Sequence, residues 1–355
     1  MLHPTRVAVA ALSLALLAGC VTTSGATSPG GATPGSSTQS KTLTVLTHDS
    51  FALSDDVIAG FKKSSGYDVT FVAPGDAGTL VNQLILTKDS PLGDVVFGID
   101  NTFAGRAIKE GVVSPYASPA LPASAAALAP DASHSLTPID YGNVCLNADT
   151  RYFTAHDLAL PATLDDLTKP EYADLLVVPN PASSSPGLAF LVATVGAKGD
   201  PGYLDYWTAL KANGLKVVKG WTEAYTVEFS GSSGKGSRPL VLSYNTSPAY
   251  EVGKDGTSRT VTLTKTCFRQ VEYAAIVKGA QNEEGAAKFI DFLLSDAVQA
   301  EIPEQMYMYP VSPTVKLPPV WTKYAATVSD PIPAPADLAT KRDTWIKAWT
   351  AAVIG

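Results

Sequence analysis

Residues 42–98 alternate short β-branched runs with amphipathic helical patterns, and this alternation constrains the fold more than any other feature. Ser54 is suited to cap a helix that ends at Gly66, and a second helical pattern covers 79–88. The strand patterns cover residues 42–47, 69–73 and 94–98. The order β-α-β-α-β predicts an α/β fold with a largely parallel sheet.

A second domain is predicted to begin at residue 141, where a strand pattern follows a Pro- and Ala-rich connection over 115–138. A return strand is expected at 271–277, and the apolar spacing of 285–302 predicts one long amphipathic helix. The remaining patterns of the second domain are strands at 175–178, 216–218 and 240–244, with helices near 163–167 and from 185 onward.

The N-terminus has the pattern of an export signal. Arg6 precedes an apolar run over 7–19 that is too short to span the ~30 Å of a bilayer core, and the run ends in the sequence LAGC. That tetrapeptide resembles a bacterial lipobox, so residues 1–20 are predicted to be a lipoprotein signal peptide with Cys20 as the lipidated residue. An ordinary signal peptide with an incidental cysteine is the alternative. Residues 21–41, rich in Ser, Thr, Gly, Pro and Ala, are predicted to be a flexible tether at the outer face of the cytoplasmic membrane.

Two further cysteines, Cys145 and Cys267, form an even pair in an oxidising compartment and are expected to form a disulfide. Two buried free thiols are the alternative, and a metal site is not expected from two cysteines without clustered histidines. A disulfide would tie the start of the second domain to its end. The first domain would then be discontinuous, with lobe 1 formed by 42–140 plus 271–355, lobe 2 by 141–270, and a hinge between them.

Charge and motifs exclude several functions. The formal charge of −7 is dispersed without a basic block, which argues against nucleic acid or an anionic lipid surface as a partner and is compatible with a cationic ligand. The Gly-rich run GSSGKGS at 231–237 does not fit a phosphate loop, because Lys235 is followed by Gly236, and it is interpreted as a flexible loop. The sequence contains neither a G-x-S-x-G nor an H-E-x-x-H motif, so we expect neither an enzyme nor a cofactor.

Two segments place aromatic rings beside small polar side chains, KGWTEAY at 219–225 and VLSYNTSPAY at 241–250. The accompanying motifs, in chain order, are THDSF at 47–51, GIDN at 98–101, DYG at 140–142, SSPG at 184–187 and MYPV at 308–311. Over residues 43–352 the chain therefore resembles the thiamine-binding proteins of ABC importers, within the type II periplasmic solute-binding proteins.

The resemblance implies a two-lobed α/β fold, in which each lobe is a mostly parallel sheet flanked by helices and two crossover strands join the lobes. It also implies a monomer that captures thiamine, or a thiamine phosphate ester, in the cleft and delivers it to an ABC permease driven by a cytoplasmic ATPase. The implied ligand contacts are Asp76, Ala77, Ser184, Ser185, Trp221, Tyr244, Asn245, Thr246, Ser247, Tyr250 and Tyr307. Ala77 departs from an Asp-Gly pair of the family, and His48 stands where the family often has Tyr.

Thiamine carries a thiazolium whose positive charge pH cannot remove. Trp221 and the tyrosines could each contribute ~0.5–2 kcal/mol through cation–π contacts, and Asp76 could either accept from the aminopyrimidine or offset the thiazolium. Ser184 and Ser185 precede Pro186 at a predicted helix N-terminus, which could receive the hydroxyethyl arm or a phosphate. A purely capping role for Ser184 is the alternative.

Other polar and aromatic residues have plainer interpretations. Asp100 and Asn101 follow a strand, where they either contact ligand or form a turn. Asp140 and Glu272 are interpreted as polar groups of strands or hinge, and the packing residues are expected to be Trp207, Trp321, Trp345 and Trp349. The alternative ligands for this fold are ferric iron or an oxyanion. Tyr244 and Tyr250, six positions apart, are poorly placed to meet one ion from a single turn.

Overall fold

The computed structural model describes residues 41–232 and 235–355. The predictions for the signal peptide, for Cys20 and for almost all of the tether lie outside the described residues, as do Ser233 and Gly234 of the Gly-rich run.

The strands of the described residues form one sheet. In chain order they are β1 (Thr42–Thr47), β2 (Asp68–Val72), β3 (Val95–Asp100), β4 (Val113–Ser114), β5 (Thr137–Asp149), β6 (Leu176–Pro179), β7 (Lys216–Val218), β8 (Leu240–Tyr244), β9 (Thr260–Val277) and β10 (Tyr309–Pro310). Every strand that the sequence predicts is present, with bounds that agree within about four residues except in β9, which begins at Thr260 and not at the predicted residue 271.

The α-helices of the same residues are α1 (Asp55–Ser65), α2 (Ala77–Leu86), α3 (Ala104–Glu110), α4 (Thr150–Ala155), α5 (Ser185–Lys198), α6 (Gly202–Ala212), α7 (Trp221–Glu223), α8 (Glu283–Leu293), α9 (Asp296–Met306), α10 (Pro319–Tyr324) and α11 (Leu338–Trp349). Shorter 3₁₀ turns lie at Ala123–Leu128, Asp165–Thr168, Pro170–Tyr172 and Ser247–Tyr250. No helix of the described residues combines the length and the apolar character needed to cross a membrane.

The sheet is parallel at both flanks and antiparallel in its centre. Its order is β2-β1-β3-β9-β5-β8-β6-β7, with β4 added to β9 and β10 added to β5. The flanking pairs β1/β2, β1/β3, β6/β7 and β6/β8 are parallel, as predicted. The centre differs from the largely parallel sheet that was expected, because the two long strands β5 and β9 run antiparallel to each other and to their neighbours.

Local sequence signals determine the ends of several helices. The Ser54 side chain accepts a hydrogen bond from the backbone N–H of Val57, and Gly66 ends α1 in the left-handed region with φ 77°. The single long helix predicted over 285–302 is wrong: it is two helices, α8 and α9. The chain leaves the helical conformation at Ser295 (φ −67°, ψ 153°), where a serine followed by Asp296 favours a new helix start.

The core contains the tryptophans that were interpreted as packing residues, and this interpretation is confirmed. Trp207, Trp321, Trp345 and Trp349 are each at most 2% exposed. The indoles of Trp207 and Trp349 meet edge to face, 5.4 Å between ring centroids, against the wholly buried first three turns of α5. A helix that is apolar on all sides requires such coverage.

The predicted disulfide between Cys145 and Cys267 is also confirmed. It joins β5 to β9 at the centre of the sheet, where both residues are fully buried. The bond closes a loop with a sequence separation of 122 residues, which contains the whole of β6, β7 and β8.

Candidate ligand-binding site

A cavity with about 540 Å³ of empty space, part of which is open solvent, lies where several elements end. Its walls come from the loop after β1, the N-termini of α2, α5 and α7, the end of β8, the middle of β9 and the end of α9. Ligands in open α/β sheets bind at such strand ends. The lining residues are His48, Ser50, Asp76, Ala77, Ser185, Pro186, Trp221, Tyr244, Glu272, Gln305, Met306, Tyr307 and Met308.

Asp76 joins three of these elements. Its carboxylate caps α2 by accepting from the Ala77 N–H (2.6 Å), and it also accepts from the backbone N–H of Ser185 (3.2 Å) and of Trp221 (3.0 Å). Burial raises the pKa of Asp76, although hydrogen bonds from the Ser184 side chain and from the backbone N–H groups of Trp221 and Ala77 act in the opposite direction.

Close approach of the backbone supports this arrangement. The N–H of Thr79 donates to the Ser183 carbonyl at 3.2 Å, which brings the first turn of α2 against the turn before α5. A Cβ on Gly78 would lie 2.6 Å from the Ser183 carbonyl carbon, so only glycine fits at this contact.

Ser184 and Ser185 have different roles. The Ser184 hydroxyl accepts from the Gly187 N–H (3.4 Å) as the N-cap of α5 and does not line the cavity of the described residues. The Ser185 hydroxyl donates to Asp100, while its N–H donates to Asp76, so this one residue links two buried carboxyl groups.

Three aromatic residues, which we call the aromatic wall, line the cavity: Trp221, Tyr244 and Tyr307. The Trp221 indole stacks on Tyr225 at 5.1 Å, and its Nε1–H donates to the Ser243 hydroxyl at 3.0 Å. Tyr307 adopts a left-handed backbone (φ 62°) at the end of α9, a conformation that costs a non-glycine residue ~1 kcal/mol. Burial raises the pKa of Tyr244 well above its usual range, so its phenol stays protonated.

The other predicted contacts of the 244–250 segment lie behind this wall and connect it to the end of α9 and beyond. Thr246 donates to the Tyr307 carbonyl (2.5 Å), and the Tyr250 hydroxyl donates to the Pro303 carbonyl. The Asn245 amide donates to the Ala326 carbonyl (2.8 Å), and the Ser247 hydroxyl contacts that of Ser243 (2.8 Å). In the part of the chain that the structure describes, none of these four lines the cavity.

His48 was set aside on the sequence, but it lies in the cavity wall. The backbone N–H of Ser50 donates to its Nδ1 (3.1 Å), which places the ring proton on Nε2, 3.7 Å from a Glu272 oxygen. Burial lowers the pKa of His48, but the Glu272 carboxylate outweighs burial and the net direction is upward. A second proton on Nδ1 would break the Ser50 hydrogen bond.

Glu272 is also in the cavity wall, whereas the sequence suggested a strand or hinge role. Strand register places it directly opposite Asp100 of β3 on one side and Asp140 of β5 on the other. We call these three residues, Asp100, Glu272 and Asp140, the carboxyl row. A charged residue within the otherwise apolar run of β9 was the sequence signal that could have identified it. Asn101 instead bonds to the backbone of Arg269 and Val271 and holds β3 to β9.

Comparison with known proteins identifies the family of this chain. Residues 90–334 match the family described as "Bacterial extracellular solute-binding protein". The chain is 31% identical to the thiamine-binding periplasmic protein of Escherichia coli (strain K12) over 88% of this chain and 93% of that one. A solved structure described as a periplasmic thiamin binding protein is 30% identical, with a TM-score of 0.75, and the match covers 91% of this chain and 99% of that one.

The predicted fold class is confirmed by these comparisons. A more distant solved structure, iron-bound HitA from Pseudomonas aeruginosa, is 21% identical with a TM-score of 0.68 over 87% of this chain and 99% of that one, and at that identity it shares the fold alone. The chain belongs to the bacterial extracellular solute-binding proteins of the type II fold, among relatives named thiamine-binding periplasmic proteins.

Proposed function

We propose that this protein captures thiamine, free or as a phosphate ester, outside the cytoplasm and delivers it to an ABC permease driven by a cytoplasmic ATPase. The observation that carries the proposal is the cavity itself, where the aromatic wall stands beside the carboxylates of Asp76 and Glu272. The lining of the described cavity contains no Lys or Arg. Aromatic faces and carboxylates attract a permanent heterocyclic cation. The names of the relatives support the same ligand.

The proposed contacts are the residues of the resemblance that line the cavity, namely Asp76, Ala77, Ser185, Trp221, Tyr244 and Tyr307, together with His48 and Glu272. Ser184, Asn245, Thr246, Ser247 and Tyr250 are proposed to act behind them by holding the contact residues in place. No cofactor is part of the proposal, and thiamine is the cargo.

The mechanism that we propose is closure of two lobes, 42–140 plus 271–355 and 141–270, over the ligand. Asp76 of the first lobe accepts N–H groups of Ser185 and Trp221 from the second, and Tyr250 of the second lobe donates to Pro303 of the first. These bonds would break on opening. A ligand that contacts both lobes favours the closed state only by interactions that the open state lacks.

The remaining parts of the proposal concern attachment and assembly. Cys20 is proposed to carry the lipid anchor, residues 21–41 to be the tether, and the protein to act as a monomer. The relatives are solute-binding proteins, and we propose that this chain likewise binds its solute without chemical change.

Ferric iron is the second candidate ligand, and the geometry favours it less. The Tyr250 hydroxyl accepts from Trp321 Nε1 (2.8 Å) while it donates to Pro303, and the Tyr244 hydroxyl lies 3.4 Å from Gln270 Oε1. Both phenols therefore have protein partners, and Tyr250 lies behind the wall. A tyrosinate–iron complex would give visible absorption, which the thiamine complex would not.

Calorimetric titration with thiamine, its monophosphate and its diphosphate tests the proposal. We expect saturable binding with one site per chain and quenching of tryptophan fluorescence through Trp221. If none of the three compounds binds and ferric citrate instead produces a coloured protein, the iron alternative replaces the proposal.

A further inference from the structure

The carboxyl row is unusual because like charges directly opposite one another on neighbouring strands destabilise a sheet. Asp100, Glu272 and Asp140 occupy one register position across β3, β9 and β5, and each is at most 5% exposed. Such a row requires donors, protons or an external cation to offset its charge. The three carboxyl groups differ in how their charge is offset.

Asp100 is satisfied by protein donors. Its carboxylate accepts from the backbone N–H of Thr102 (2.9 Å) and Phe103 (3.0 Å), from the Thr102 hydroxyl (2.7 Å) and from the Ser185 hydroxyl. Burial nevertheless raises the pKa of Asp100 to about 6. The carboxyl group of Asp100 therefore faces protein donors, and it does not line the cavity of the described residues.

Asp140 has no such donors. It is fully buried, and no N–H or hydroxyl of the described residues donates to either of its oxygens. Burial, with Glu272 next to it, raises the pKa of Asp140 well above its usual range. A buried carboxyl without donors beside a second carboxyl keeps its proton.

Glu272 is the member of the row that reaches the cavity. It accepts from Gln270 Nε2 at 3.1 Å, and its other oxygen faces His48 Nε2 at 3.7 Å, beyond hydrogen-bonding distance. The His48 Nε2 has no hydrogen-bond partner among the described residues, and its Nδ1 accepts from the Ser50 N–H, a bond that requires Nδ1 without a proton, whereas Glu272 raises the pKa of His48. The carboxyl group of Glu272 thus lies in the cavity wall with Gln270 as its hydrogen-bond donor and with His48 beyond hydrogen-bonding distance.

We propose that Glu272 is the counter-ion for the positive charge of the ligand, and that neutral Asp140 behind it keeps that charge on Glu272. The inference rests on the proposed function, because it names the group that would select the thiazolium. It also separates the two roles that were open for Asp76: Glu272 is proposed to face the cation, and Asp76 to face the aminopyrimidine. Selection follows because a neutral ring opposite Glu272 would leave a buried carboxylate without an opposite charge.

The test compares two isosteric variants and two ligands by calorimetry at neutral pH. Glu272→Gln removes the charge that the proposal assigns, and Asp140→Asn replaces a carboxyl that the proposal holds neutral. The ligands are thiamine and its hydroxymethyl-pyrimidine half, which lacks the thiazolium ring. Glu284→Gln, an exposed position on α8, serves as the control for net charge, and thermal unfolding of each variant verifies the fold.

We expect Glu272→Gln to weaken thiamine binding by at least about tenfold and to leave binding of the pyrimidine half within about twofold. Asp140→Asn and Glu284→Gln should each keep thiamine binding within about threefold. Equal losses for both ligands in Glu272→Gln would indicate a merely structural role and overturn the inference. A loss in Asp140→Asn as large as that in Glu272→Gln would overturn the assignment of the charge. If the unchanged protein does not bind thiamine at all, both the proposed function and this inference fail. If the unchanged protein binds thiamine and Glu272→Gln binds it equally well, only this inference fails.

Discussion

The strands β5 and β9 contain two cross-strand pairs of opposite character. At one position Cys145 and Cys267 are joined covalently in a fully buried environment, and five residues away on each strand Asp140 and Glu272 place two carboxyl groups side by side. The first pair stabilises the centre of the sheet, whereas the second destabilises it, because one carboxyl group is buried with its charge and the other must keep its proton. The difference indicates that the carboxyl pair is retained for the cavity and not for the fold.

Removal of the disulfide should have the largest effect on stability and little effect on the site. Replacing Cys145 and Cys267 together by serine releases a 122-residue loop closure, and we expect a loss of about 4 kcal/mol in the free energy of unfolding. Denaturant unfolding measures this loss, and titration of the folded variant should give an unchanged thiamine affinity. A weaker thiamine affinity in the fully folded variant would show that the disulfide and the cavity are coupled.

Replacement of Trp221 should have the opposite effect, with a large loss of thiamine affinity and a small loss of stability. Trp221→Ala removes a half-buried indole from the aromatic wall, and we expect thiamine affinity to fall by about 2 kcal/mol, roughly thirtyfold, with a smaller change in stability. Trp221→Phe is the matched control and should retain part of the affinity, because a ring face remains. Equal affinities of the alanine variant and the unchanged protein would remove Trp221 from the site.

Neutralising the carboxyl pair should stabilise the empty protein. Glu272→Gln removes a buried charge opposite Asp100 and supplies an amide that can donate to Asp140, so we expect a gain of about 1 kcal/mol in the free energy of unfolding without ligand. Denaturant melts at neutral pH give the value. A large loss of stability would mean that Glu272 and Asp140 stabilise the fold, and it would contradict the contrast drawn between this pair and the disulfide.

Mild acid should also stabilise the protein without ligand, and this is the smallest of the four predicted effects. The pKa of Asp100 is raised to about 6 and that of Asp140 is raised well above its usual range, so between the unfolded and folded pKa values the folded state binds more protons than the unfolded state. The free energy of unfolding therefore rises as pH falls through that window, and the raised pKa of His48 acts in the same direction. We expect Tm to rise by about 2 °C from about pH 7.5 to about pH 5.5. Asp140→Asn should reduce this rise, and an unchanged pH profile in that variant would contradict the assigned proton.

How far the sequence predicts the molecule depends on whether a feature is local. Ser54 and Gly66 bound α1 because caps act within one turn, and Trp221 and Tyr244 were found because they belong to short motifs. The break at Ser295 was missed because one apolar period continues through two helices.

The carboxyl row could not be predicted from local pattern. Its members are far apart in the sequence and come together only through the registers of β3, β9 and β5. The same holds for the partners of Asp76, which joins N–H groups from two distant turns. Sequence motifs predicted Asp76 and the aromatic side of the cavity, and only the tertiary structure placed Glu272 and His48 in its wall.

A crystal structure of the protein with bound thiamine would show directly whether Glu272 and the aromatic wall bind the charged ring. We expect the thiazolium to lie against the carboxylate of Glu272 and the ring of Trp221, with the aminopyrimidine toward Asp76. Thiamine bound with its charged ring away from Glu272, or outside this cavity altogether, would contradict it.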